Sequence, residues 1–479
     1  MSERLVDKLL AVLDPDVYDR AYLRSCLGVL LTTLEDVRPA RMDLLDHVFL
    51  DTLIAACDRR MGAQLDELLH SRLVQALEAA WRGLRFVVDR VDFAENIQVE
   101  IVSCSKEDLA NDFADASEIP KSGLYRLVYT RGLATFGGQP YGLLCANYEF
   151  GPTNEDVALL RYCAAVAAMA HAPFVANASS SLFGLADFSG LPRIRDFPEL
   201  FAGPRFRFWQ AMRELEDVRY LGLCLPRFLL RTPYTVEASA GSKLRYGEVA
   251  EEHAHHLWGP ASLAFAVRAA DAFARFRWCV FLTGSRASGM IEGLPSHEYA
   301  AMPGLPRCPL ECLMTSRVEH ALSAQGFIGL VYDRASGNAM FHTAASVQRQ
   351  MEFADTPEGQ AAAVGEHLGT QLPYVFLVSR LAHYLKCVQR EQIGQWDNRG
   401  TLQRDLERWL QQYVSAIDNP QLDVRTRRPL RKAAIQVETV EGQAGWYRCH
   451  LFLQPHLTHN NASFTLSLVG RLDKPADRR

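Results

Sequence analysis

The apolar positions near the start of the chain follow a helical period. Leu5, Leu9, Leu10 and Leu13 share one face, and Leu65, Leu68, Leu69, Leu73 and Leu77 repeat the spacing, so residues 4–80 are expected to be helical. Trp81-Arg82-Gly83-Leu84 closes that stretch, with Gly83 as the expected stop. Strand-like runs follow at Phe86-Val87-Val88 and Ile97–Val102, the second alternating with period two. Thr153 then offers a hydroxyl N-cap with Asp156 three residues on, in the manner of a capping box, and opens a small-residue helix through Ala170. Strand and helix continue to alternate: Tyr220–Cys224, a helix over about 258–276, and Trp278–Thr283. This alternation points to a mixed α/β (α+β) middle region. Pro192–Pro204 and Pro303–Pro309 are expected to be loops.

The end of the chain changes character. A helix is expected over about 402–414, then a linker at Asn419-Pro420, then three strand-like runs over 435–440, 446–454 and 463–472. Alternating runs this close to a terminus offer edges that can pair with another chain. The division expected from these shifts is a helical arm over 1–65, an α/β middle region over 66–375 and a terminal domain over 376–479.

Composition narrows the function classes. Hydrophobic residues make up 48% and charged residues 22% of 479, which is ordinary for a globular chain long enough for two or three units. A formal net charge of −5 gives no general attraction for nucleic acid or anionic membrane. The 11 cysteines sit mostly in apolar runs, an odd and scattered set that fits a reducing compartment. Met1–Asp7 lacks a basic-then-apolar leader, and no run approaches the roughly 18 apolar residues of a membrane span, so a cytoplasmic location is expected.

The search for chemistry is mostly negative. His253, His255 and His256 are the best candidates for metal ligands, but no His-Glu-x-x-His spacing or cysteine pair completes a set, and a solvated loop is the plainer reading. Cys308 and Cys312 lack the Cys-x-x-Cys spacing of a zinc ribbon or redox pair. Gly137-Gly138, Gly284–Gly289 and Gly293 match no phosphate-binding loop and suit turns. Arg193 with Arg195, Arg205 with Arg207, and Arg425–Arg431 are candidates for anion binding or inter-subunit salt bridges. No catalytic residue, cofactor or metal is expected.

Several stretches in one order resemble the large sheath subunit of type VI secretion systems, the TssC/VipB/ImpC/EvpB family. They begin with Gln64–His70, Leu77–Leu84, Thr135–Gly142, Ala170–Phe174 and Leu182–Leu185. They continue through Glu216–Tyr220, Leu225–Arg231, Leu257–Gly259, Glu292–Pro295, Gly326–Ile328, Ser379–Lys386 and Arg428–Arg431. The matches span roughly residues 60–472, whereas residues 1–55 follow the family's arm only loosely. The resemblance implies a contractile tail-sheath-like fold and a non-enzymatic role. It also implies pairing with a small sheath subunit (TssB/VipA), polymerisation around an Hcp tube, a baseplate, and recycling by a ClpV-type ATPase acting chiefly on the small subunit. Strands donated between subunits would correspond here to Val437, Val440, Tyr447, Leu451, Leu453, Phe464, Leu466 and Leu468. By analogy Asp405 and Glu407 would face the tube. Three other readings stay open: a sheath subunit of another contractile system or phage tail, a metal- or Cys/His-dependent enzyme centred on His253–His256, and a paralogue that binds the sheath or baseplate without polymerising.

Overall fold

The computed structural model describes residues 7, 10, 20–33, 47–238, 244–284, 289–296, 298–299, 302–306, 308–351, 356, 363, 365–391, 399–417, 420–439, 447–456 and 466–471. Its α-helices of nine residues or more are α1 (Arg20–Thr33), α2 (His47–Leu69), α3 (Arg72–Val88), α4 (Lys106–Asp115), α5 (Asn154–Ala170), α6 (Ala261–Phe276), α7 (Ser316–Ala324), α8 (Leu372–Glu391) and α9 (Arg399–Gln411). None of the described helices is long and apolar enough to cross a membrane. The chain forms two compact units, one from Met1–Glu78 with Arg231–Leu257, the other from Ala79–Leu230 with Trp258–Arg479.

In the first unit a buried ion cluster ties α2 and the start of α3 to the 231–257 segment. The Arg231 guanidinium donates to Glu78 at 2.8 Å and to Glu248 at 2.5 Å, with the Glu248 side chain wholly buried. His70 also meets Glu248, at 3.2 Å, and Tyr246 donates its hydroxyl to Asp66 at 2.6 Å. Buried charges persist when each finds several partners, and here one arginine serves two carboxylates.

The second unit is built on a six-stranded sheet in the order β1-β2-β3-β9-β10-β6. Its parallel part comprises β1 (Leu144–Phe150), β2 (Phe174–Ala178), β3 (Leu221–Leu225) and β9 (Phe327–Asp333). Next come β10 (Asn338–Phe341) and β6 (Met290–Ile291), both antiparallel. The short pairs β4 (Phe228–Leu229) with β5 (Trp258–Gly259) and β7 (Glu298–Tyr299) with β8 (Met302–Pro306) stand apart. Strands β2 and β3 are buried at every position, as parallel strands covered on both faces must be. Leu221, Leu223, Leu225 and Phe327 join a core with α5 and α7, in which Phe327 packs among Phe183, Phe201 and Trp209. On the opposite face Gly222 leaves room for Leu372 of α8, whose Cδ1 would stand 2.8 Å from a Cβ there.

One irregularity in the sheet explains a polar residue inside it. The β1–β2 register shifts between Cys145 and Glu149, freeing the carbonyls of Ala146 and Tyr148 from the ladder. The Asn177 amide of β2 donates to both, at 3.3 and 3.2 Å, and its oxygen accepts from the Ser262 N–H at 2.8 Å. Buried backbone groups are thus satisfied by a side chain where the ladder fails.

At the end of the chain β11 (Leu430–Thr439), β12 (Tyr447–Pro455) and β13 (Leu466–Arg471) form an antiparallel sheet with β12 in the middle. The three runs expected there are strands. The helix expected over 402–414 is α9, and the helix from Thr153 to Ala170 is α5. Its cap works as expected on one side, the Thr153 hydroxyl accepting from the Asp156 N–H at 3.2 Å. The Asp156 carboxylate instead accepts from the Gly151 N–H at 2.6 Å and pairs with Lys106. A full capping box occurs at Ser105 and Asp108.

Other expectations are corrected. Gly83 does not stop a helix: α3 runs on to Val88, so Phe86-Val87-Val88 is helical. Gly83 is there for space, since a Cβ would stand 2.5 Å from Leu263 Cδ1. Trp278–Thr283 is not a strand; Trp278, Val280 and Leu282 are buried from an irregular segment, where packing rather than a ladder uses the apolar residues. Pro192–Pro204 contains short helical turns, among them Phe197–Ala202, and Met302–Pro306 is a strand. Ile97–Val102 lies in no helix and in no sheet among the described residues.

Candidate functional site

The terminal sheet is half-buried, as its alternation requires. Ile435 and Val437 of β11 and Cys449, Leu451 and Leu453 of β12 point into one core with Leu402, Leu406 and Leu410 of α9 and Leu377 and Leu381 of α8. Lys432, Ala434, Gln436 and Glu438 alternate with them and are exposed. Of the residues expected on inter-subunit strands, Val437, Leu451 and Leu453 therefore hold the sheet to its own chain. What remains for another chain is backbone. Tyr447 stands opposite Thr439, Leu466 opposite Leu453 and Leu468 opposite Leu451 in the ladders, while Val440 and Phe464 lie outside the described residues. Strand β13 has a ladder neighbour on one side only among the described residues. The other outer strand, β11, is closed at its start by the Val414–Leu430 bridge and by the Ser415 N–H donating to the Leu430 carbonyl at 2.8 Å.

The leucines of helix α9 face the core, and Asp405 and Glu407 flank that face on opposite sides, each partly exposed. Asp405 pairs with Arg408 at 3.4 Å, and Glu407 accepts from Gln403 at 3.0 Å. An exposed pair of this spacing adds little to stability, so these charges are available to another molecule at small structural cost.

The residues considered for chemistry have structural partners. His255 stacks on His70 with ring centroids 4.1 Å apart, while His256 turns its Nδ1 to the Glu252 carbonyl at 3.1 Å, so the two rings serve different contacts. Cys308 and Cys312 have their thiol pKa values raised by burial, the reverse of what a nucleophile or metal ligand needs. Gly137, Gly284 and Gly293 have positive φ, and Gly137 lies in a turn. Arg205 and Arg207 lie over the rings of Phe206 and Phe208 at 4.4 and 5.5 Å, and Arg425 donates to the His456 carbonyl at 2.9 Å. His383 in α8 is buried against the Ala170 carbonyl at 2.8 Å, and burial lowers its pKa to about 4. It packs as a neutral ring.

Sequence inspection missed the buried pair of Arg227 with Glu311. The arginine donates from Nε and Nη2 at 2.7 Å each, and the wholly buried carboxylate also accepts from the Phe188 N–H at 3.0 Å. Nothing local marks two residues 84 positions apart as partners.

Comparison with known proteins agrees with this architecture. Residues 51–348 match the model of the EvpB/VC_A0108 tail sheath N-terminal domain, and residues 361–472 match that of the EvpB/VC_A0108 tail sheath gpW/gp25-like domain. The chain is also similar to the type VI secretion system sheath protein TssC1 of Pseudomonas aeruginosa, with 32% identity over 430 residues covering 88% of this chain and 86% of that protein. Two domain models in sequence, together spanning most of the length, place this chain in the EvpB/VC_A0108 tail-sheath family: it is a structural sheath subunit of a type VI secretion system, not an enzyme.

Proposed function

We propose that this chain is the large member of a two-chain sheath. It pairs with a small subunit of the TssB/VipA type in the bacterial cytoplasm. The heterodimers then stack as helical rings around an Hcp tube from a baseplate, and contraction drives tube and spike outwards. A ClpV-type ATPase recycles the contracted form chiefly through the small subunit. The observation that carries this reading is the match to both tail-sheath domains in their order along one chain. The three-way division into an arm (1–65), a middle region that meets the small subunit (66–375) and a terminal sheath domain (376–479) belongs to the same reading.

Neighbouring subunits join through the terminal sheet. Its donor and acceptor groups lie on the outer edge of β13, while Val437, Leu451 and Leu453 keep the sheet seated on α9. Tyr447, Leu466 and Leu468, with Val440 and Phe464 beyond the described residues, complete the strands that take part. Asp405 and Glu407 on α9 face the tube. Contraction needs two packings of the same subunits that differ modestly at each interface, a difference multiplied along the polymer. No nucleotide chemistry is required of this chain.

The test is co-expression with the small subunit, purification without nucleotide and high-speed sedimentation. The two chains should co-purify in equal amounts and pellet as a polymer only together. A chain that polymerises alone would be a one-component sheath protein. A chain that stays soluble with its partner would not build a sheath.

A further inference from the structure

Arg126–Ala134 is wound as a π-helix, an uncommon form that mostly occurs as single turns and often at functional sites. The segment enters on the α pattern, with the Arg126 N–H donating to the Ser122 carbonyl at 3.1 Å. It leaves on an i→i+5 bond, from the Thr135 N–H to the Thr130 carbonyl at 2.9 Å. That last turn takes in one residue more than an α-turn would. Burial follows the wider winding: Val128 and Leu133 are both buried, whereas five positions apart on an α-helix they would point about 140° apart. No proline lies between Arg126 and Ala134, so the local sequence leaves the α form open.

Contacts from one face of α8 hold the wider form. Arg390 donates from Nη1 to the carbonyls of Leu133, Thr135 and Gly138 at 3.1, 2.8 and 3.1 Å. One turn earlier on the same face, Lys386 Nζ lies 5.2 Å from the centre of the Tyr129 ring. Gly138 closes on the Arg131 and Gly132 carbonyls, where a Cβ would collide. The π-helix belongs to the N-terminal tail-sheath domain. Helix α8 belongs to the gpW/gp25-like domain, and its Leu377 and Leu381 share the core of the terminal sheet. Two cations thus join the two domains at a segment held in its less common winding.

We propose that Arg126–Ala134 is a winding switch, π-wound while Arg390 and Lys386 hold it and α-wound in the other packing of the sheath, once the terminal domain has carried α8 away. This rests on the contractile sheath proposed above and names a bistable element within the subunit. Rewinding moves the Thr135 N–H from the Thr130 carbonyl to that of Arg131 and passes one residue into the turn that bears Phe136, which is 79% exposed. The N–H groups inside the helix keep a carbonyl partner in either winding, so the two forms differ modestly, as a switch requires.

Amide exchange on sheaths assembled with the small subunit reads the winding. Exchange over 126–138 should differ about tenfold or more between extended and contracted sheaths. Equal exchange in sheaths that do contract would overturn the switch and leave the sheath reading standing, whereas unmodified chains that form no sheath would remove both. Two variants separate a switch from a fixed strut. Arg390→Met keeps the apolar stem, removes the donors and should speed exchange over 126–138 about tenfold or more in the heterodimer. Unchanged exchange there would overturn the holding role of Arg390. Deleting the exposed Thr130 puts Val128 and Leu133 four apart, on one face of an α-helix, and removes the residue that rewinding passes on. Those sheaths should assemble and sediment as the unmodified ones do, yet keep one length where the unmodified sheath shortens. A deletion variant that contracts normally would overturn the proposal, and so would one that cannot pair with the small subunit, because the α form would then not fit the subunit.

Discussion

Two stretches of this chain carry the same alternating pattern and meet different fates. Ile435–Thr439 lies in β11, with Ile435 and Val437 buried against α9 and every residue opposite a partner on β12. Ile97–Val102 has the same apolar–polar rhythm but, among the described residues, neither a ladder nor a buried apolar row. Alternation specifies a strand with one greasy side; it does not say whether the neighbour is in the same chain. The β1 register shift is a third case, in which backbone groups without a ladder are served by the Asn177 amide.

The comparison can be broken or sharpened by substitution, starting with the largest effect. Asn177→Leu strands the Tyr148 carbonyl and the Ser262 N–H, while the Ala146 carbonyl keeps the Ser262 hydroxyl as a donor at 3.0 Å. At roughly 1–3 kcal/mol per buried group, urea denaturation should show a loss on the order of 4 kcal/mol. Ile435→Ala, in the paired stretch, should cost about 3 kcal/mol by the same measurement, since it opens a cavity in the core beside α9. Ile101→Ala, at the matching place in the unpaired stretch, should change the stability of the free chain by less than about 0.5 kcal/mol. A loss there comparable to that of Ile435→Ala would mean the stretch is packed by its own chain.

Acid probes the seam where α8, part of the terminal-sheet core, meets α5. His383 has its pKa lowered by burial to about 4, and nearby Lys386 and Arg380 push the same way. His171 is lowered too, by burial and by Lys386 and His383, and it lies against the Tyr220 hydroxyl. Both rings are neutral when folded and take up protons on unfolding, so stability is full above the ordinary histidine pKa and falls as pH drops from about 6.5 towards 4. The slope from each ring is about 1.4 kcal/mol per pH unit. Denaturation midpoints measured across that range should fall less steeply for His383→Gln. The smallest effect on stability is expected from reversing Asp405 and Glu407 to lysine, below about 0.5 kcal/mol because both groups are partly exposed. Sedimentation with Hcp tubes should nevertheless drop, and unchanged co-sedimentation would take α9 off the tube-facing surface.

Much of the architecture was legible because periodicity and burial agree. The terminal strands, α9, and α5 with its Thr153 cap all follow from patterns of a few residues. The misreadings have one physical source. Local propensity misleads at Phe86-Val87-Val88, Trp278–Thr283 and Gly83, where the decisive contact is tertiary. Gly83 lies against Leu263, and Trp278 sits in the core shared with α8 and α9. The polar centres were hidden for the same reason, since Asn177 with Ser262 and Arg227 with Glu311 are joined only by the fold. The family was legible from dispersed short matches, no one of which has a chemistry to reveal it.

The most direct test of the central claim is negative-stain electron microscopy of this chain co-expressed with its small partner and purified without nucleotide. Long hollow tubules with cogwheel ends, present only when both chains are made, are the predicted result. Monodisperse particles from the same preparation would contradict a sheath built from this chain.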